Sequence, residues 1–421
     1  MNLLFLIRIG PLLLISLLPS CSNVDRPSPP QASPEKSVIN LNHFDHLYKE
    51  INLAGDTVGI VHIYSEYPDY VYEIEPAEGF TCVDDVARAA IMLCTYYATG
   101  NAPAGTLERI ERLVKFMLFM QNENGYFNNF IWNDLTINTS YKTTVAELNW
   151  WSLRAFWALE TALPFLVKKT ELTARMKAAI DHLMLNVDQD LGQLEMKTGT
   201  MHSLTLPSWL PQKYAADQAT VLMLGLLPYL QRTGDPKAEN LLNRMATGLL
   251  QMQKGDAATY PYGAFLSWGN LWHAWGNGQA YALLKAGKQL GKPEYIQSAL
   301  QEIDHFYPYM LKNGFAEAFW IEKTADGFIE TKRNEFPQIA YGIRPMVWAA
   351  VEAYQQTGDQ QYKTLADELT AWFFGSNVAK TQMYDPQTGR CYDGISSSVA
   401  INKNSGSEST IECLLTLLRI Y

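Results

Sequence analysis

The chain alternates two kinds of helical segment. Residues 84–97, 145–163, 216–230, 272–290, 337–354 and 408–418 are apolar nearly all the way round, whereas residues 43–51, 106–120, 171–185, 236–252, 293–311 and 361–374 carry one apolar stripe and one charged face. The first pattern predicts helices buried on every side, the second helices with one face in water. A short turn links each apolar helix to the amphipathic one that follows. VLMLGLLPYLQRTGDPKAENLLNRM around Asp235 and MVWAAVEAYQQTGDQQYKTLADEL around Asp359 show the cadence most clearly, and QAYALLKAGKQLGKPEYIQSALQEI around Lys292 and AIMLCTYYATGNAPAGTLERIERLV around Asn101 repeat it.

A unit of this kind hides its apolar helix only by packing against its neighbours. Six inner and six outer helices in strict alternation predict an all-α (α/α)6 toroid, and the unequal loops favour a closed ring over an open solenoid. In that ring the inner-to-outer turns are short and structural. The outer-to-inner connections are long and contain QNENGYFNNFIWNDLTINTSYKTT, MKTGTMHSLTLPSWLPQKYAAD, AATYPYGAFLSWGN and FAEAFWIEKTADGFIETKRNE. Long loops on a rigid scaffold are where binding residues concentrate. These are dense in Trp, Tyr, Phe, Asn and Gly, side chains that stack on sugar rings and bond their hydroxyls.

The start of nearly every inner helix is acidic: Asp84 and Asp85 in TCVDDVARA, Glu147 in TTVAELNWW, Asp217 in YAADQAT, Glu335 in RNEFPQIAYG and Glu408 in NSGSESTIE. The fourth instead offers Trp272, His273, Trp275, Asn277 and Gln279 in NLWHAWGNGQA. An acidic residue there can be a helix cap stabilised by exposed N–H groups and the helix dipole. It can also be catalytic, because all these ends should converge on one cavity and capping does not account for the aromatics around them. Paired carboxylates are what glycosidic bond cleavage requires, one as acid and the other as base or nucleophile. The catalytic candidates are therefore Asp84, Asp85, Asp217, Glu335 and Glu408, and the substrate-binding candidates are Glu147, Trp150, Trp272, His273, Trp275, Asn277, Tyr341 and Arg344. Adjacent helical residues point about a hundred degrees apart, so one of Asp84 and Asp85 should face the cavity and the other cap the helix. Arg344 is expected to pair with Glu335, and Arg88 with acids of the ring. His273 reads either as a general acid/base or as a hydrogen-bonded core histidine.

A net charge of −10 without a basic cluster argues against nucleic acid as a partner. The seven histidines and five cysteines show no HxxxH or CxxC spacing, so neither a metal nor another cofactor is expected, and Cys82, Cys94, Cys391 and Cys413 read as buried free thiols. Residues 1–20 have the basic start, apolar run and small-residue site of a secretory signal, and the run is too short to cross a bilayer. Leu18-Pro19-Ser20-Cys21 resembles a bacterial lipoprotein signal, which implies lipidation of Cys21. Residues 21–38 are Pro- and Ser-rich and read as a tether, leaving 39–421 as a single catalytic toroid with no second linker. The expected location is the cell envelope, held to the outer membrane by lipid alone, on its periplasmic or surface face, as a monomer.

With these elements in place, the chain resembles the six-hairpin glycosidase superfamily, the (α/α)6 toroids of carbohydrate-active enzymes. The resemblance rests on the helix count, the NENGYFNNF and NGFAEAFWIE loops, YDPQTGRCYDGI before the last helix and the terminal NSGSESTIECLLTL. It implies a carbohydrate substrate without singling out one family, and the superfamily includes lyases, phosphorylases and epimerases beside hydrolases. The leading expectation is a glycoside hydrolase acting on a neutral or weakly acidic glycan. One alternative is a lyase or epimerase of uronic acids, with His273, Tyr341 and Arg344 as the working groups. The other is a noncatalytic glycan-binding lipoprotein.

Overall fold

The computed structural model describes residues 38–421, which pack as one body. The signal segment, Cys21 and the tether as far as Ser37 lie outside the described residues. Twelve α-helices follow in chain order among the described residues: α1 (Asn42–Leu47), α2 (Val83–Ala98), α3 (Thr106–Phe119), α4 (Trp150–Ala162), α5 (Thr170–Val187), α6 (Ala216–Thr233), α7 (Pro236–Met252), α8 (Gln279–Leu290), α9 (Pro293–Asn313), α10 (Ala340–Thr357), α11 (Gln360–Thr370) and α12 (Ser407–Ile420). Each even-numbered helix packs on the even-numbered helices either side of it, and α12 packs on α2. The inner ring is therefore closed. The odd-numbered helices form the outer layer: α3, α5, α7, α9 and α11 each fold back on the inner helix before them, and α1 packs on α12. This is the (α/α)6 toroid.

The Thr-Gly-Asp turns have a clear local cause. Gly234 and Gly358 take φ of +64° and +73° and close α6 and α10 by donating to the carbonyls of Leu230 and Tyr354, a conformation costly for any residue with a Cβ. The aspartate that follows caps the next helix, Asp235 accepting from the Lys237 N–H at 2.9 Å and Asp359 from that of Gln361 at 3.0 Å. The strands sit mostly in the long outer-to-inner connections, as short antiparallel hairpins. They include Thr198–Met201 with Leu204–Pro207, and a three-stranded sheet of Leu271–His273, Ala318–Thr324 and Gly327–Asn334.

Four helix boundaries differ from the sequence expectation. The first outer helix ends at Leu47, because Tyr48–Leu53 pairs with Asp56–Val61 across a turn at Ala54 and Gly55, both with positive φ, the geometry of a two-residue hairpin. The second inner helix begins at Trp150, capped by Asn149. The fourth begins only at Gln279, since Leu271–His273 is recruited as a strand opposite Ala318–Trp320 and a 3-10 turn occupies Ala274–Gly276. The fifth begins at Ala340, because Gln338 exchanges backbone hydrogen bonds of 3.0 and 2.8 Å with Ile395. Among the described residues no helix is long and apolar enough to cross a membrane.

Candidate active site

The N-terminal ends of α2 and α12 meet at a cavity of about 320 Å³, lined among others by Tyr64, Glu78, Asp84, Arg88, Asp393 and Glu408. Arg88, one turn into α2 and almost fully buried, organises it. Its Nη1 lies 2.9 Å from Asp84 Oδ2 and 2.7 Å from Asp85 Oδ1, its Nη2 2.7 Å from Glu408 Oε2, and its Nε 3.0 Å from Glu412 Oε1. Spacings of three and four residues along one helix bring both aspartates onto the same guanidinium, so their divergence is smaller than adjacency suggested. Asp85 is buried and also accepts from the Ser407 hydroxyl, which locks it in place, while Asp84 stays partly open.

The carboxyls here fall into opposite electrostatic states. Burial works against ionising Asp84, but Arg154 and Arg88 outweigh it and hold its carboxyl below the usual range. Its Oδ2 is bound by both arginines, and its Oδ1 has no hydrogen-bond partner. Glu408 is pushed up to about 7, chiefly by burial, with Asp85, Glu412 and Asp84 adding repulsion and Arg88 opposing. Its side chain nonetheless opens onto the cavity, 42 % exposed. Asp393 is also raised by burial, although the Gly406 N–H and the Ser409 hydroxyl bond it at 2.8 and 2.7 Å.

A second polar group lies on the α6–α8 side. His273 Nε2 donates to Asp217 Oδ2 at 2.9 Å, both side chains being buried, and the imidazole stacks on Trp275 with centroids 4.0 Å apart. The carboxylate thereby sets the tautomer and leaves Nδ1 as an acceptor without a partner. A Cβ at Gly276 would fall 2.7 Å from His273 Cε1, 2.8 Å from Asp217 Cβ and 3.1 Å from Trp150 Cη2. That closeness links the pair to Trp150, whose ring faces Arg154, which in turn pairs with Asp84 and donates to Tyr341 Oη at 2.8 Å. A chain of contacts thus runs from Glu408 through Arg88, Asp84, Arg154 and Trp150 to the neighbourhood of His273.

No protein family and no curated protein sequence matches the chain. Its structure, however, is similar to that of a sugar epimerase from a ruminal bacterium, with a TM-score of 0.62 at 11 % identity over 91 % of this chain and 96 % of that one. It is also similar to a cellobiose 2-epimerase from Bacillus thermoamylovorans (0.60, 11 %, covering 90 % and 96 %). A family 76 glycoside hydrolase from a bovine Bacteroides thetaiotaomicron strain matches at 0.58 and 11 % identity, over 92 % of this chain and 78 % of that one. The chain has the six-hairpin glycosidase-like fold.

Within this six-hairpin toroid the sequence-derived candidates separate. Asp84, Asp85 and Glu408 converge on Arg88; Asp217, His273, Trp275 and Trp150 gather on the α6–α8 side. Asn277 is buried and donates to the Gly342 carbonyl at 3.2 Å. Tyr341 is buried with Arg88, Arg154 and Arg344 all packed against its ring. Arg344 pairs with Glu412, Nε to Oε2 2.5 Å, and not with Glu335. Glu335 is exposed five residues ahead of α10, and Glu147 is exposed three residues ahead of α4, where it accepts from Asn149 Nδ2 at 3.1 Å. Neither begins a helix. Trp272 is fully buried, stacked on Phe319 at 5.0 Å and edge-on to Phe306, so it is core.

Sequence reasoning overlooked Glu412, Arg154, Asp393 and Trp268. The spacing Glu408–Glu412 and Trp150–Arg154, one turn apart on inner helices, was the available signal for two of them. Trp268 is 40 % exposed on a tight turn whose neighbour Ser267 bonds the backbone of both Asp217 and His273.

Proposed function

We propose that the chain is a carbohydrate-active enzyme of the hydrolytic kind, cleaving glycosidic bonds of a neutral glycan, with Glu408 as general acid and Asp84 as the ionised partner. The observation that carries this reading is the contrast across Arg88: a cavity-facing carboxyl pushed to about 7 beside one held ionised by two arginines. Environments that drive two carboxyls apart are how acid and base roles are divided. Glu408 would protonate the glycosidic oxygen, while Asp84 would attack the anomeric carbon or take a proton from the attacking water. Because both bind terminal nitrogens of one guanidinium, within 3 Å each, their separation stays inside the upper limit of about 9.5 Å that such pairs span. The fold shared with a family 76 glycoside hydrolase supports the reading.

Charge favours a neutral substrate over a uronic acid. Arg88 is the basic side chain on the cavity lining, and four carboxyl groups already surround it. Arg344 is likewise committed to Glu412. Among the described residues, the lining of this cavity offers no further cation to receive a sugar carboxylate. Lipidation at Cys21 would make this an enzyme of the cell envelope, and Cys21→Ser should move the protein from the membrane to the soluble fraction.

A second reading, epimerisation or isomerisation of a sugar, is favoured by the His273–Asp217 pair, an oriented base with a free Nδ1, and by the fold shared with two epimerases. A panel of neutral oligosaccharides incubated in D2O separates the two. Release of new reducing ends, lost by about a hundredfold or more in Glu408→Gln and Asp84→Asn, supports hydrolysis. Deuterium at a sugar carbon without chain cleavage, abolished in His273→Ala, would replace it with epimerisation.

A further inference from the structure

The α6–α8 side of the ring carries polar groups that neither the fold nor the Glu408 end uses. Fifteen buried side-chain nitrogen and oxygen atoms among the described residues have no hydrogen-bond partner, and five of them belong to four residues here: Gln218 Oε1, His273 Nδ1, Asn277 Oδ1, and both Nε2 and Oε1 of Gln279. All four residues are at least nine-tenths buried, and Gln279 is completely so. Native proteins leave few such groups, and each one costs stability unless something occupies it. Gln218 lies in the first turn of α6 and the other three in the segment that leads into α8, its neighbour in the ring.

The chemistry of the set is specific. It holds a carbonyl oxygen on each of three amides, an amide nitrogen donor and an imidazole acceptor, with no lysine or arginine. That mixture matches hydroxyl groups, which both donate and accept, and does not match a carboxylate or phosphate. Two aromatic faces accompany it. Trp275 is stacked on His273, and Trp268 stands exposed on the turn from Ser267 to Leu271, braced by its indole N–H on the Gln212 carbonyl at 3.4 Å and by Asn270 on the Ile321 carbonyl at 3.1 Å. The turn is held closely: a Cβ at Gly269 would meet Met201 Sδ of the neighbouring hairpin at 2.7 Å. The turn that carries Trp268 is tied through Ser267 to Asp217 and His273, so an exposed aromatic ring and unsatisfied neutral donors and acceptors occur on the same side of the toroid, the two kinds of surface a pyranose needs for its apolar face and polar rim.

We propose that the α6–α8 side of the ring mouth is a second sugar subsite, taking a neutral pyranose through Gln218, His273, Asn277 and Gln279 and stacking it on Trp268. It would extend the site described around Glu408, with an oligosaccharide reaching across the ring mouth from Glu408 toward His273. The subsite rests on the carbohydrate reading but not on the hydrolytic step.

Gln279→Leu and Trp268→Ala test it. Both are made in the full chain carrying Glu408→Gln, and binding of a disaccharide-to-hexasaccharide series of neutral glucans and mannans is followed by calorimetry, with oligogalacturonates as the charged control. Each change should weaken binding of the longer neutral chains by about tenfold, the loss of one or two hydrogen bonds or a stacked ring. Gln279→Leu should at the same time leave the melting temperature unchanged or raise it, because it removes two unpartnered polar atoms from a buried position. A purely structural glutamine would show the reverse, a lower melting temperature with binding intact, and that result overturns the subsite. So does binding that neither change affects, or a preference for the oligogalacturonates. If the Glu408→Gln protein still turns the glycan over at the native rate, the hydrolytic assignment fails while the binding comparison keeps its meaning.

Discussion

Asp84 and Glu408, on opposite sides of the seam where the inner ring closes, bind the two terminal nitrogens of the same guanidinium: Asp84 Oδ2 is 2.9 Å from Arg88 Nη1 and Glu408 Oε2 is 2.7 Å from Nη2. The chain separates them by more than three hundred residues, and the contact of α12 with α2 brings them together. Arg154 adds a second cation to Asp84 only. That asymmetry, together with the burial of Glu408 and, after it, the repulsion from Asp85 and Glu412, gives the two carboxyls different proton occupancy at the same pH.

The first consequence is a pH profile. A general acid works while protonated, so kcat/KM should fall as pH rises through about 7, the value to which Glu408 is pushed. Asp84, held ionised, should set a lower limb on the acidic side of the profile. In Glu408→Gln the residual rate should lose its alkaline limb. An unchanged alkaline limb in that variant would remove Glu408 from the acid role.

Arg88 should matter for folding as much as for chemistry. It is the shared partner of Asp84, Asp85, Glu408 and Glu412, and three of these are buried or nearly so. Removing one partner of a buried charge network strands the others, at a cost of about 3–5 kcal/mol. Arg88→Met is therefore expected to lower the urea midpoint strongly at neutral pH and to regain part of that loss toward pH 4, where the stranded carboxyls take up protons. Equal destabilisation at both values would mean that the guanidinium acts through packing and not through charge.

The Thr-Gly-Asp turns provide the complementary case, in which no activity should change. Asp235 and Asp359 cap α7 and α11 through single hydrogen bonds to backbone N–H groups, at the end of the ring where inner helices finish. Replacing either by alanine should cost about 1 kcal/mol, and the costs should add because the two caps are far apart in the fold. Thermal unfolding of the single and double variants checks this. A change in turnover would contradict the division of the toroid into a structural and a working end.

That division was legible in the sequence because it rests on local rules: all-round apolarity for inner helices, glycine then aspartate for the short turns. Asp84, Asp85 and Glu408 could be singled out for the same reason, as acids at helix starts. What the sequence obscured depends on pairings between distant segments. Trp272 looked like the start of an apolar helix, yet its stretch is drawn into a sheet with residues 318–320, which buries it against Phe319. Glu335 looked like the acid at a helix start, but the exchange between Gln338 and Ile395 holds the chain extended and α10 begins at Ala340, five residues beyond Glu335. Glu412 and Arg154 escaped notice because a charged residue inside an apolar helix has meaning only once its partner is known.

Glu302 tests the same electrostatic reasoning away from the site. It lies on outer helix α9, fully buried, accepting from the Phe265 N–H at 2.8 Å and near the Tyr307 hydroxyl at 3.3 Å, with no cation beside it. Burial raises its carboxyl from 4.5 to about 8. The sign of the effect on stability follows from the folded value lying above the unfolded one. The folded state holds a proton that the unfolded state releases, so the contribution is fully present below about 4.5 and is lost as pH rises through about 8, at roughly 1.4 kcal/mol per unit across that window. Glu302→Gln keeps an acceptor for Phe265 and cannot ionise. The melting temperature of the native protein should therefore fall relative to that of Glu302→Gln as pH is raised from 5 to 8, independently of Glu408, which is present in both. Parallel curves over that interval would show that Glu302 is already ionised in the folded protein and that an unrecognised donor compensates it.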